Sequence, residues 1–283
     1  MPNRREALKQ LGWVGTGVAL GGVLASCAPS LTEAQNTDQD LAILNFALNL
    51  EYLEAEFYLR ATTGQGLPPE DLGAYPGPVT VPSQTRVNFT NPDFQGYAED
   101  ITRDEKHHVE FLRAAIKELG GTPVDRPAID LVNSFNAAAQ AAGLGSSFNP
   151  FANQVNFLLG AFVFEDVGVT AYNGAAPLIT NKQVVLANAA GILAVEAYHA
   201  GAIRSVLYGL GPEVRRIADA IEKVRDADGK GRPIVVDGQA NIVSDNANGV
   251  AFSRTVAQVL KVVYLGGSKR GGFFPEGLNG ALR

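Results

Sequence analysis

Acidic residues set inside apolar helical runs constrain this chain more than any other feature. A helix facing a core is apolar along its buried stripe, yet four long stretches of helical periodicity each carry Glu amid apolar neighbours. The first reads Leu50-Glu51-Tyr52-Leu53-Glu54-Ala55-Glu56-Phe57-Tyr58 and the second Asp104-Glu105-Lys106-His107-His108. The third reads Phe162-Val163-Phe164-Glu165-Asp166-Val167 and the fourth Val195-Glu196-Ala197-Tyr198-His199. Glu-x-x-His occurs at Glu105/His108 and again at Glu196/His199, and positions i and i+3 share a helical face from which both side chains can reach one ion. Glu is followed by Tyr seven residues later at Glu51/Tyr58 and Glu165/Tyr172. With 15 Glu in 283 positions, two of three histidines falling three residues after Glu is about a one-in-a-hundred coincidence. The order Glu, Glu-x-x-His, Glu, Glu-x-x-His reads as a duplicated helix pair.

Punctuation along the chain places these segments in an all-α fold. Asp38 and Asp40 suit the start of a first helix running to about Thr62. Residues 63–90 hold five prolines and read as an ordered, irregular loop insertion. Asn91-Pro92 opens a second helix that stops at Gly120-Gly121. A shorter helical segment covers 128–142, Asn149-Pro150 opens a third long helix to about Ala175, and a fourth begins near Thr180-Asn181 and ends at Gly209. Residues 213–227 and 249–265 predict two further helices, with 230–248 irregular between them. Helices of about 20 residues, each roughly 30 Å long, are the size used in four-helix bundles. The short link between the third and fourth favours antiparallel neighbours, and the long connection between the second and third can carry a crossover along the bundle.

Four carboxylates converging inside such a bundle would lose hydration and repel one another, at several kcal/mol per ion. Two divalent ions neutralise Glu51, Glu105, Glu165 and Glu196, with His108 and His199 completing one coordination sphere each. Carboxylate and imidazole ligands suit two iron or two manganese ions, and zinc binds them too. Glu54 shares nearly the same face as Glu51 and is the alternative ligand from the first helix or a supporting acid. Glu56 is expected in solvent, His107 about 100° away from the ligand face, and Asp104 and Asp166 at the surface or behind a ligand. Tyr58 and Tyr172 hydrogen-bond ligand carboxylates or relay an electron in the catalytic reading; the alternative is that they fill core volume.

These residues resemble the ferritin-like di-metal carboxylate superfamily, whose site takes one Glu from each of two helices and Glu-x-x-His from the other two. The segment around Glu51 and Tyr58, and the Glu105/His108 helix ending in Leu119-Gly120-Gly121-Thr122-Pro123, resemble the corresponding parts of bacterioferritin. Leu50–Tyr58 together with the Gly271-Gly272-Phe273-Phe274-Pro275 tail is similar, over most of 38–280, to an exported ferritin-like family that includes plant desiccation-related proteins. The resemblance implies a four-helix bundle over 38–211 and oxidation of Fe(II) or handling of peroxide in stress protection. A non-catalytic protective protein with a structural or degenerate metal site is the alternative. The 63–90 loop and the 212–283 extension, expected to pack on the bundle, depart from ferritins, so an iron-storage cage does not follow. Homo-oligomerisation is left open.

Composition bears on address and partners. Arg4-Arg5 before an apolar, Gly-rich stretch resembles a twin-arginine export signal over 1–26, with Sec export the alternative because Ala7 stands where that signal prefers Phe. Leu24-Ala25-Ser26-Cys27 resembles a lipoprotein box that would lipidate Cys27, leaving 27–37 as a tether and the protein exported, held to the membrane only through that lipid. Cys27, Met1 and Trp13 are the only residues of their kinds, which excludes disulfides and thiolate zinc sites and leaves the body poor in oxidisable side chains. Such a body suits small oxidants or Fe(II) as partners outside the cytoplasm. Past residue 26, 20 basic and 28 acidic residues remain; without cation clusters this argues against nucleic-acid binding.

Overall fold

The computed structural model describes residues 29–283, so the segments expected to be an export signal and a lipoprotein box, with Cys27, lie outside the described residues. Four long helices make the bundle: α1 (Pro29–Thr63), α3 (Pro92–Glu118), α5 (Gln154–Ala175) and α6 (Ala187–Gly209). Between and after them come α2 (Pro69–Leu72), α4 (Asn133–Ala141), α7 (Pro212–Arg225) and α8 (Val256–Val263), with four two-residue strands.

Side-chain contacts fix the directions of the bundle helices. Asn45 reaches Val124 beyond the end of α3 while Thr62 meets Thr102 near its start, so α1 and α3 are antiparallel. Tyr58 bonds Glu165 and Tyr172 bonds Glu51, so α1 and α5 are antiparallel as well. His108 faces Glu196 and Asp104 faces His199, which sets α3 against α6 in the same sense. Helices α3 and α5 therefore run parallel, and the 119–153 connection returns along the bundle as a crossover. That connection is pinned to the first loop by a parallel pairing of β1 (Val79–Thr80) with β2 (Ile129–Asp130).

Local chemistry sets the boundaries. Asn91 accepts hydrogen bonds from the backbone N–H of Asp93 and Phe94, and Pro92 occupies the first helical position, where no partner for its nitrogen is needed. The third long helix starts later than Asn149-Pro150 suggests. Asn149 instead closes a turn by accepting from the N–H of Phe151, and Asn153 caps α5. Asn181 caps a π-helical turn at Lys182–Leu186 that leads into α6. The tether and the start at Asp38 are corrected too: α1 already begins at Pro29. No proline or glycine follows Pro29 before Gly64 to break it, and Asp40 binds the link between α5 and α6, accepting from the N–H of Thr180 at 2.7 Å and Asn181 at 2.8 Å.

The C-terminal extension closes over α5. Gly174 lets it approach, since a Cβ there would sit 1.8 Å from the Arg254 carbonyl oxygen. Arg254 is buried and donates to Thr170 and Asp226 at 2.8 Å each. Asp166 is buried rather than at the surface, paired with Arg204 and Arg225 at 2.8 Å each; it holds the extension and does not support a ligand. Phe273 and Phe274 insert into the core, and Asn279 exchanges two hydrogen bonds with Asn49 of α1.

Candidate metal centre

Six of the predicted side chains converge at mid-bundle, at most 7% exposed: Glu51 from α1, Glu105 and His108 from α3, Glu165 from α5, Glu196 and His199 from α6. Their potential ligand atoms form two groups, each with all atoms within 4.8 Å of one another: Glu51, Glu105, His108 and Glu196 in one, Glu105, Glu165 and His199 in the other. Glu105 belongs to both. Its Oε1 lies 3.1 Å from Nδ1 of His199, and its Oε2 lies 3.6 Å from Nδ1 of His108.

The surrounding helices brace these groups. Seven residues span about 10.5 Å along a helix, so neither tyrosine bonds the Glu of its own helix. The antiparallel partner brings the other Glu level with it: Tyr58 of α1 donates to Glu165 of α5, and Tyr172 of α5 donates to Glu51 of α1. Burial, and then the adjoining carboxylate, raises both phenols well above their ordinary range, so both stay protonated donors. His199 turns Nδ1 inward and places Nε2 3.2 Å from Asp104. A proton on Nε2 directed at that carboxylate leaves the Nδ1 lone pair facing the cluster. Asp104, on the outer side, thus orients a histidine of the centre.

Glu54 is buried but joins neither group. It borders a small cavity with Val163, Val167 and Gly168. His107 is exposed, on the far side of α3 from the cluster. Glu56 is a correction: it is fully buried, not solvated, and pairs with Arg126 and with Arg60. Its partner arrives from the crossover 70 residues away, which periodicity within α1 cannot reveal.

A model of the ferritin-like domain family matches residues 39–209. The chain belongs to the ferritin-like family. It is 28% identical to the ferritin-like catalase Nec2 of Nesocodon mauritianus, across 91% of this chain and 89% of that protein. It is also 28% identical to the desiccation-related protein PCC13-62 of Craterostigma plantagineum, across 84% of this chain and 82% of that protein.

Within this ferritin-like bundle, the donor set fits a pair of divalent cations. Both carboxylate oxygens of Glu105 and of Glu196, Oε2 of Glu165 and Nδ1 of His199 are buried without a hydrogen-bond partner. Each such atom costs about 1–3 kcal/mol unless something satisfies it. Protons satisfy part of the charge: burial pushes Glu51 up to about 7 and holds Glu54 and Glu196 well above the carboxylate range. Burial opposes charging both histidines and Glu105, but their mutual proximity prevails. The carboxylates of Glu165 and Glu105 beside His199 lift it to about 12, His108 is raised likewise chiefly by Glu51, and the two imidazoles hold Glu105 low. Protons occupy the places that cations would take, and binding would release them.

Gly168 is the residue that motif reading passes over. A Cβ there would stand 2.1 Å from Oε2 of Glu196. The signal in the sequence is a glycine inside an apolar helical run three residues after Glu165, a position that costs about 1 kcal/mol against Ala unless something approaches closely.

Proposed function

We propose that this chain holds two iron or two manganese ions and disproportionates hydrogen peroxide, converting two molecules of peroxide to two of water and one of dioxygen. The observation that carries this reading is the paired ligand group sharing Glu105, with six buried donor atoms lacking hydrogen-bond partners. The relative named as a ferritin-like catalase favours peroxide as the substrate. Bound redox-active ions would supply the exchange of two electrons between one peroxide and the next. The chain's residues do the rest. Glu105 would join the two ion positions, Glu51, His108 and Glu196 would hold one, and Glu165 with His199 the other. Tyr58 and Tyr172 keep Glu165 and Glu51 in place through hydrogen bonds to one oxygen each. Glu54, neutral at its carboxyl group, holds a proton at the edge of the centre, and the apolar walls of α1 and α5 exclude water.

The relative named for desiccation supports a second reading, a non-catalytic protective protein whose metals stabilise the bundle. Full-length protein purified without a tag, analysed for metal and then given peroxide, separates the two. Dioxygen released at half the peroxide consumed, and lost in Glu105→Ala, supports the enzyme. Bound metal without dioxygen release assigns the protective role, and Fe(II) consumption under oxygen without peroxide turnover assigns iron oxidation. Export and anchoring through Cys27 belong to the same proposal and rest on the Arg4-Arg5 and Leu24–Cys27 motifs. Membrane fractionation that persists in Cys27→Ala would refute the anchor.

A further inference from the structure

A cavity of about 480 Å³ lies between α4, α5, α7 and α8, apart from the ligand groups. Its floor is buried and apolar, formed by Phe135, Leu159, Val163 and Phe273, and its rim is exposed at Asp228 and Lys261. Packed interiors retain few voids larger than a water molecule, so an apolar space of this size is a site rather than a packing defect. It falls in the size range of small-molecule pockets, which pair apolar walls with a few polar groups that set orientation.

The rim decides the sign of the ligand. Asp228 is engaged by Arg254 at 3.1 Å, and Arg225, deeper in the wall, is held by Asp166 and Asp226. Lys261 spends its backbone carbonyl on the N–H of Gly266 at 2.8 Å, while its side-chain ammonium forms no ion pair or hydrogen bond among the described residues. Gln258, one turn earlier on α8, spends its carbonyl oxygen on the N–H of Thr255 at 3.0 Å, leaving its amide nitrogen as a donor. The uncommitted groups are thus a cation and a donor. Both suit an anionic head group, and the apolar floor suits a hydrocarbon body.

We propose that this cavity binds an amphiphilic carboxylate, an alkyl or aryl acid whose body fills the space above Leu159 and Phe273 and whose carboxylate meets Lys261. At about 30 Å³ per water-sized unit, the cavity accommodates a ligand of about 10–16 non-hydrogen atoms. Val163, Val262 and Phe273 also line the small cavity beside Glu54, so one layer of side chains would separate the bound acid from that cavity. The binding itself requires no metal.

Titration of the full chain with 2-naphthylacetate, a fluorescent aryl acid within that size range, tests the site, with dodecanoate, dodecanol and dodecylammonium as competitors. Saturable one-to-one binding is expected, with dodecanoate competing about tenfold better than dodecanol. Lys261→Glu, at an exposed position, should weaken dodecanoate about tenfold and leave dodecanol within twofold. Ala138→Trp, which fills the cavity from its outer edge, should abolish binding of the probe while far-ultraviolet circular dichroism stays unchanged. Absence of saturable binding to the unaltered protein overturns the site. Equal competition by dodecanol, preference for dodecylammonium, or indifference to Lys261→Glu overturns the carboxylate assignment.

Discussion

Replacing Gly168 by Ala separates metal binding from folding. In the middle of α5 this change should favour the helix by about 1 kcal/mol on propensity alone. The new Cβ, however, would stand 2.1 Å from Oε2 and 2.9 Å from Cδ of Glu196, against about 3.4 Å for ordinary contact. The carboxylate must therefore retreat by about 1.3 Å, whereas a metal site tolerates only about 0.2 Å in its ligand distances. Because the obstructing atoms are the free end of a side chain, the bundle itself need not move. The expected result is a metal-free protein whose melting free energy stays within about 1 kcal/mol of the parent, with metal affinity at least about tenfold weaker, or 1.4 kcal/mol. Chelator competition measures the affinity and differential scanning calorimetry the stability. Gly191→Ala, which faces open space on α6, is the control and should gain helix propensity alone. Unchanged affinity in Gly168→Ala would refute the assignment of Glu196 as a ligand.

The metal-free protein should lose stability as pH rises. Glu51 titrates near 7 in the folded chain against 4.5 ordinarily, so its contribution is full below pH 4.5 and disappears as pH passes 7, on the order of 3 kcal/mol. His199, raised from 6.5 to about 12, acts in the same direction at higher pH, and Glu105, held low, opposes only in strong acid. The melting temperature of chelator-treated protein should thus fall between pH 5 and 9, and that of metal-loaded protein should change less; a rise in the metal-free melting temperature contradicts the charge assignment. Arg126→Ala leaves the buried Glu56 with Arg60 alone and should cost about 3 kcal/mol in urea unfolding; a change below about 0.5 kcal/mol would show that Arg60 suffices.

The bundle was readable because its signals are local: apolar periodicity runs along the long helices, and Asn91-Pro92 and Gly120-Gly121 stand at the two ends of α3. The clustering of these carboxylates and imidazoles was readable for a related reason, since Glu-x-x-His expresses a face of a single helix. Features that depend on partners distant in sequence were not. Glu56 looks like a solvent residue until Arg126 arrives from the crossover, and Asp166 looks peripheral until Arg204 and Arg225 converge on it. The tyrosines show the limit most clearly. Their spacing from Glu marks a repeated face, but only the antiparallel register of α1 and α5 reveals that each serves the other helix. Asn149-Pro150 misled because the same Asn can close a tight turn or cap a helix, and here Asn153 takes the cap.

The most direct test of the central claim is an anaerobic titration of metal-free protein with Mn(II) or Fe(II), counted by elemental analysis after removal of free ion. Two ions per chain are predicted, and Glu105→Ala should lose both, because its two oxygens serve both ligand groups. One ion or none in the parent protein, or two retained in Glu105→Ala, would contradict a shared two-ion centre.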